Sequence, residues 1–267
     1  MLFRAVAIVA ALVVGSVVVV ASLTGRDAFS YDDPFEPLPS PTDPGSGRAV
    51  EHAPDPGLEL VSFLRFLSSD IQSFWARRFE RSDRDYVPAQ VVIFDERVLT
   101  RCGPGTDETG PFYCTFDRNV YLDLEFFRQL AIEFRAPGDF AQAYVIAHEL
   151  GHHVQNITGI TAQVQEAIAE GVERPNVLSI ALELQADCLA GVWGHSTYER
   201  GMLERGDIQE GLRAAAAVGD DRIQARTTGR IDPETWTHGS SEQRREWFVR
   251  GFESGDPDDC DTFSAIF

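Results

Sequence analysis

His148-Glu149-Leu150-Gly151-His152 sits inside a longer pattern, Asp139 to Gly159, in which Phe140, Tyr144, Ala147, Leu150 and Val154 recur at helical intervals. A helix is predicted over about 139–157, opened by Asp139 with Gln142 three residues on, the spacing of a capping box. Residues four apart share one helix face, so the two imidazoles are placed to bind a single tetrahedral metal ion. Glu149 projects beside that ion rather than onto it, where its carboxylate can take a proton from water and later hand it to a leaving amine. The bland alternative is an amphipathic helix whose histidines only decorate its solvated side.

Reading outward, His153-Val154-Gln155 follows the second imidazole, so no nearby third histidine completes the set. A second helix, predicted over 176–198, carries Glu183 and Asp187 at i and i+4 among Ile180, Leu184, Val192 and Trp193. Carboxylates in such apolar surroundings are costly unless a cation or hydrogen bonds compensate them. Glu183 is therefore expected as the third ligand. Asp187 is expected behind it, as the acceptor that fixes the tautomer of one ligand imidazole, with the reverse assignment as the alternative. Two imidazoles and one carboxylate leave a zinc position open for water, which is a hydrolytic arrangement; iron or manganese fits the same donors less well.

The rest of the chain frames this pair of helices. Leu58 to Phe79 has apolar residues at helical spacing, Gln90 to Phe94 and Asn119 to Leu122 read as strands, and further helices are expected at about 124–135, 161–171, 206–224 and 240–252. The class is α+β, mostly α, with a small sheet. Four cysteines match no zinc knuckle. Of three possible pairings the favoured one joins Cys102 to Cys114 across a Gly-rich loop and Cys188 to Cys260, pinning the C-terminal tail to a helix.

Ahead of this domain, Ala5 to Leu23 is uncharged and long enough to cross a bilayer, and Arg4 before it against an acidic stretch after it predicts a cytoplasmic N-terminus. A cleaved secretory signal is the alternative, and either exports the domain. The expected layout is a membrane segment over 1–25, a Pro- and Asp-rich disordered linker over 26–57 and the catalytic domain over 58–267, outside the cytoplasmic membrane. With 42 acidic against 23 basic residues and a formal charge of −19, nucleic acid is excluded as a partner.

The chain resembles the bacterial neutral zinc metallopeptidases, a family with an N-terminal membrane segment. The likeness covers about 58–267 and rests on Ala147 to Gln155 (AHELGHHVQ), Glu183 to Trp193 (ELQADCLAGVW), His238 to Arg244 (HGSSEQR) and Arg250 to Asp256 (RGFESGD). It implies a zincin-like domain of gluzincin type, with His148, His152 and Glu183 as zinc ligands and Glu149 as the catalytic residue. It names no substrate.

The expected function is a membrane-anchored zinc endopeptidase acting on peptide or protein substrates. Rivals are an inactive zincin-like adaptor or chaperone, and a hydrolase of other amides such as cell-wall material. His238, ahead of a second capping-box pattern at Ser240 to Gln243, is a candidate to donate to an oxyanion. Arg244 and Arg245 are candidates for a substrate carboxylate, with surface ion pairing as the alternative, and Tyr113 and Tyr121 for polarising a carbonyl. His153 and His195 are expected to be structural, and Phe126-Phe127 and Trp247-Phe248 to be core. Oligomeric state is not legible.

Overall fold

The computed structural model of the chain describes residues 56–106, 109–133, 138–264 and 266. The apolar run at 5–23 and nearly all of the linker expected at 26–57 lie outside the described residues. Helix α1, Pro56–Arg81, opens the domain with its proline in the first turn, where no amide donor is needed. Its apolar stripe of Leu64, Leu67, Ile71 and Trp75 is buried against the helices that follow.

A small sheet comes next. Strand β1, Gln90–Phe94, pairs in parallel with β5, Asn119–Asp123, and β5 pairs antiparallel with β4, Phe112–Cys114, giving the order β1-β5-β4. Strands β2, Arg97–Thr100, and β3, Gly103–Thr106, form a separate hairpin. The sequence reading missed β2, β3 and β4. The first two are short and the second is Gly-Pro-Gly-Thr, a composition with no strand preference of its own, held by the register with Arg97–Thr100. A disulfide from Cys102 to Cys114 fastens this hairpin to β4.

The helical layer is built on α3, Asp139–Thr158, and α5, Pro175–Glu199, joined by α4, Ile160–Glu170, and preceded by α2, Leu124–Glu133. Almost every side chain of α3 from Phe140 to Gln155 is buried. Helix α5 is long and apolar enough to span a bilayer, yet 83% of its most apolar window is buried, so this is the core helix of the domain. The expected helix over 206–224 is two helices, α6, Asp207–Ala217, and α7, Asp220–Thr227. They part at Val218-Gly219 because the chain there lies against Ser241: a Cβ on Gly219 would stand 2.4 Å from the Ser241 amide nitrogen.

Helix α8, Ser241–Ser254, crosses α5 at very short range. A Cβ on Gly251 would come within 1.9 Å of the Cys188 carbonyl oxygen, and one on Gly191 within 2.1 Å of the Phe248 carbonyl oxygen. Only two glycines allow this approach, and it carries Arg244 to Asp187. The capping box at Ser240–Gln243 forms as expected, with Ser240 accepting from the Gln243 amide and Gln243 from the Ser240 amide.

The capping box expected at Asp139–Gln142 does not form. The N-cap is Gly138, without a side-chain bond, and Gln142 Oε1 is buried and unpartnered. Instead Glu210, from α6, accepts the Phe140 amide, its carboxyl filling the space a Gly138 side chain would need. The cap is supplied by tertiary structure, which no local spacing encodes. Cys188 and Cys260 form the second disulfide, so the pairing expected from the sequence is the one observed.

Candidate metal centre

Helices α3 and α5 face one another so that His148 and His152, one turn apart, meet Glu183. His148 Nε2 lies 3.2 Å from His152 Nε2 and 3.2 Å from Glu183 Oε2, and His152 Nε2 lies 3.4 Å from Glu183 Oε1. All three residues are buried. A tetrahedral ion bonded at about 2.0–2.1 Å has neighbouring ligand atoms about 3.3–3.4 Å apart, so the three donors already stand at the edges of such a site.

The hydrogen bonds behind the rings decide what those atoms present. His148 Nδ1 is 2.9 Å from Asp187 Oδ1 and His152 Nδ1 is 2.8 Å from Gln155 Oε1. Both partners are acceptors, so each ring donates from Nδ1 and, when neutral, turns a lone pair on Nε2 toward the other ring and the Glu183 carboxylate. Three electron-rich atoms converging in a buried place repel one another unless a cation joins them, a proton on His148 in the metal-free chain or a metal ion in its place. The donor set therefore fits zinc.

Asp187 is fully buried and serves four donors. It accepts from Tyr144 Oη, His148 Nδ1, Arg244 Nε at 2.7 Å and Arg244 Nη2 at 2.9 Å. Burial works to raise its carboxyl, and the charges of Arg244 and His148 outweigh that, holding it below the ordinary carboxylate range. For His148, burial disfavours the imidazolium, but Asp187 and Glu183 prevail and lift its pKa to about 9 in the metal-free chain. Arg244 is thus a buried partner of Asp187 rather than a surface group awaiting a substrate carboxylate, a role its sequence position did not reveal. Arg245 is exposed.

The centre opens into a cleft of about 310 Å³ walled by Phe126, Val145, Val218 and Ile223 and rimmed by Thr109 to Pro111. Glu149 lines it, buried, with its Oε2 meeting no hydrogen-bond partner, and burial raises its carboxyl above the usual value. His238 lines it as well, half-buried, with Nδ1 3.0 Å from Asp220 Oδ1. The other Asp220 oxygen accepts the amides of Thr237, His238 and Gly239. Burial pulls the His238 imidazole down, and the Asp220 hydrogen bond together with the charge of Glu183 outweighs it, so the pKa is raised.

Chain and site together point one way. The protein belongs to a family of zinc metallopeptidases. The family, described as "Putative neutral zinc metallopeptidase", has a model that matches residues 2–263. The chain is 46% identical over 206 residues to the uncharacterized protein YpfJ of Escherichia coli K12, covering 77% of this chain and 72% of that one. It is 49% identical over 191 residues to the uncharacterized protein Rv2575 of Mycobacterium tuberculosis H37Rv, covering 67% of this chain and 64% of the relative. No solved structure matches it. Zinc is the metal this metallopeptidase family implies, and His148, His152 and Glu183 form a group able to hold it.

Other residues singled out from the sequence fall outside this centre. Tyr113 is buried, bonded to His153 Nδ1 and Asn156 Nδ2, and Tyr121 donates to Asp117, so neither reaches the cleft. The tyrosine that does line it, Tyr144, was read only as a core position of α3. Its i−4 spacing from His148 was the available signal. His153 bridges Tyr113 and the Val87 carbonyl, and His195 bonds the Phe252 carbonyl, both away from the cleft. Phe127 and Phe248 are core, while Phe126 forms part of the cleft wall.

Proposed function

We propose that the protein is a zincin-like endopeptidase, anchored in the cytoplasmic membrane by residues 1–25 and tethered through 26–57, whose catalytic domain hydrolyses peptide bonds outside the cytoplasm. The reading is carried by one observation: three metal-type donors converge at tetrahedral spacing beside a buried carboxylate, Glu149, in the lining of one cleft.

When bound by His148, His152 and Glu183, zinc supplies Lewis acidity toward a water and the scissile carbonyl. Glu149 takes the proton that the attacking water gives up and delivers it to the departing amine. Its burial suits the first half of that task, since a carboxyl raised above its usual pKa is a stronger base. His238 donates from Nδ1 to Asp220, and as the imidazolium that its raised pKa favours it also donates from Nε2 to the carbonyl oxygen as that oxygen gains charge. Asp187 and Gln155 hold the two ligand rings in the lone-pair-forward tautomer. The uncharged run before the domain and the two disulfides support an anchored, extracytoplasmic enzyme.

The test is the full-length chain in detergent, its zinc content measured and a diverse peptide library supplied, beside Glu149→Gln. Hydrolysis that disappears in the variant while zinc stays bound is expected. Equal behaviour of the two proteins sinks the enzymatic reading in favour of an adaptor.

A further inference from the structure

Gln155 and Gln185 are both buried, and their amides have no freedom of direction. The Cys260 carbonyl can only accept, so Gln185 turns its Nε2 to it, at 3.0 Å. That leaves Gln185 Oε1 to accept from Gln155 Nε2 at 3.1 Å, which also donates to the Leu182 carbonyl at 2.7 Å. Gln155 Oε1 then faces His152 Nδ1 at 2.8 Å and can only accept from it. The Leu182 carbonyl on α5 and the Cys260 carbonyl in the tail, the latter through Gln185, together set the Gln155 amide and so the proton on the His152 ring.

The tail is fastened to α5 at three places around Glu183. Cys260 is bonded through sulfur to Cys188, its carbonyl receives Gln185, and Thr262 Oγ1 donates to the Ala181 carbonyl at 2.7 Å. Phe263 and Ile266 pack beyond that against the cluster of Val164, Leu178 and Leu182. The tail thus backs the turn of α5 that carries the proposed carboxylate ligand, and feeds the relay that orients a proposed imidazole ligand on α3.

We propose that Gln155 and Gln185 are positioning residues that fix the tautomer of His152 for zinc, and that the Cys188–Cys260 disulfide, by holding the Cys260 carbonyl in place, sets zinc affinity from the end of the chain. The inference rests on His152 being a zinc ligand, as the proposed function has it. Loss of an outer partner of a metal ligand weakens metal binding by about 10–100-fold. Gln185→Met keeps the volume and removes the relay. Removing both cysteines (Cys188→Ala with Cys260→Ala) frees the tail, and Thr262→Val removes a tail fastening that lies outside the relay.

In the full-length chain, zinc affinity is measured by competition with a chelator, and thermal unfolding is followed with the metal removed. The expected result is a loss of affinity reaching at most the roughly 10–100-fold of a lost direct partner for Gln185→Met and for the double cysteine variant, with Thr262→Val binding zinc as the wild type does. Wild-type affinity in Gln185→Met overturns the proposal, as does a loss in all three variants that simply follows their metal-free melting temperatures. Should Gln185→Met not fold, Gln155→Met is compared with Thr262→Val by the same criteria. A wild type that binds zinc but cleaves no peptide refutes the peptidase reading and leaves the affinity comparison intact.

Discussion

Replacing Arg244 by Met leaves the Asp187 carboxylate fully buried with the His148 imidazolium as its remaining cation in the metal-free chain. In the intact chain that anion receives two N–H bonds from Arg244, at 2.7 and 2.9 Å, and the arginine side chain is itself only 3% exposed. Removing one partner of a buried pair costs about 3–5 kcal/mol, because the remaining charge stays desolvated. Against a total stability of about 5–15 kcal/mol this is a large share. The loss has a pH signature. Arg244 is the leading influence holding the Asp187 carboxyl down against burial, so without it the folded-state pKa is higher than in the intact chain. The variant's native state then takes up its proton at a higher pH than the intact chain's does, and the deficit shrinks as pH falls and the anion is neutralised. Asp187→Asn added to Arg244→Met removes the charge while an amide oxygen still serves His148 and Tyr144, and about 1–2 kcal/mol of the loss should return, an unpartnered amide NH₂ retaining the rest. Urea unfolding of the metal-free proteins at pH 7 and pH 5 measures all of this. A deficit under about 1 kcal/mol at pH 7, or one that grows on acidification, would refute the reasoning, since exposed ion pairs behave that weakly.

Two further outcomes follow from the titrating groups. With His148 at about 9 in the metal-free chain, zinc must displace one proton at neutral pH, so apparent affinity should rise about tenfold per pH unit between pH 6 and pH 8 once the chelator's own protonation is subtracted; a flat profile would show that no proton leaves. Asp220→Asn removes the hydrogen bond that offsets burial at His238, so the imidazolium is lost at lower pH, and the alkaline limb of kcat/KM should move acidward with zinc content unchanged.

How much of this was legible in the sequence depends on the distance over which each feature is encoded. His148, Glu149 and His152 share one helix turn, and Glu183 and Asp187 share another, so periodicity alone puts each group on one face. The link between the two faces needed chemistry rather than spacing: buried carboxylates ask for positive charge, and the bond from His148 Nδ1 to Asp187 meets that demand. What stayed hidden is whatever one element lends another at a distance. Arg244 reads as one of two surface arginines, because its burial is created by the close approach of α8 to α5 at Gly191 and Gly251. Glu210 of α6 caps α3 and lets Asp139 go unused, a link no local spacing encodes. Gln155 and Gln185 are the sharpest case, since a buried amide has no meaning until both its neighbours are known. Between the Leu182 and Cys260 carbonyls and the His152 ring, only one orientation of each satisfies every donor. The proposed ligands can be found by pattern, but the direction in which their lone pairs point is a property of the folded network, and the chemistry proposed for this chain depends on that direction.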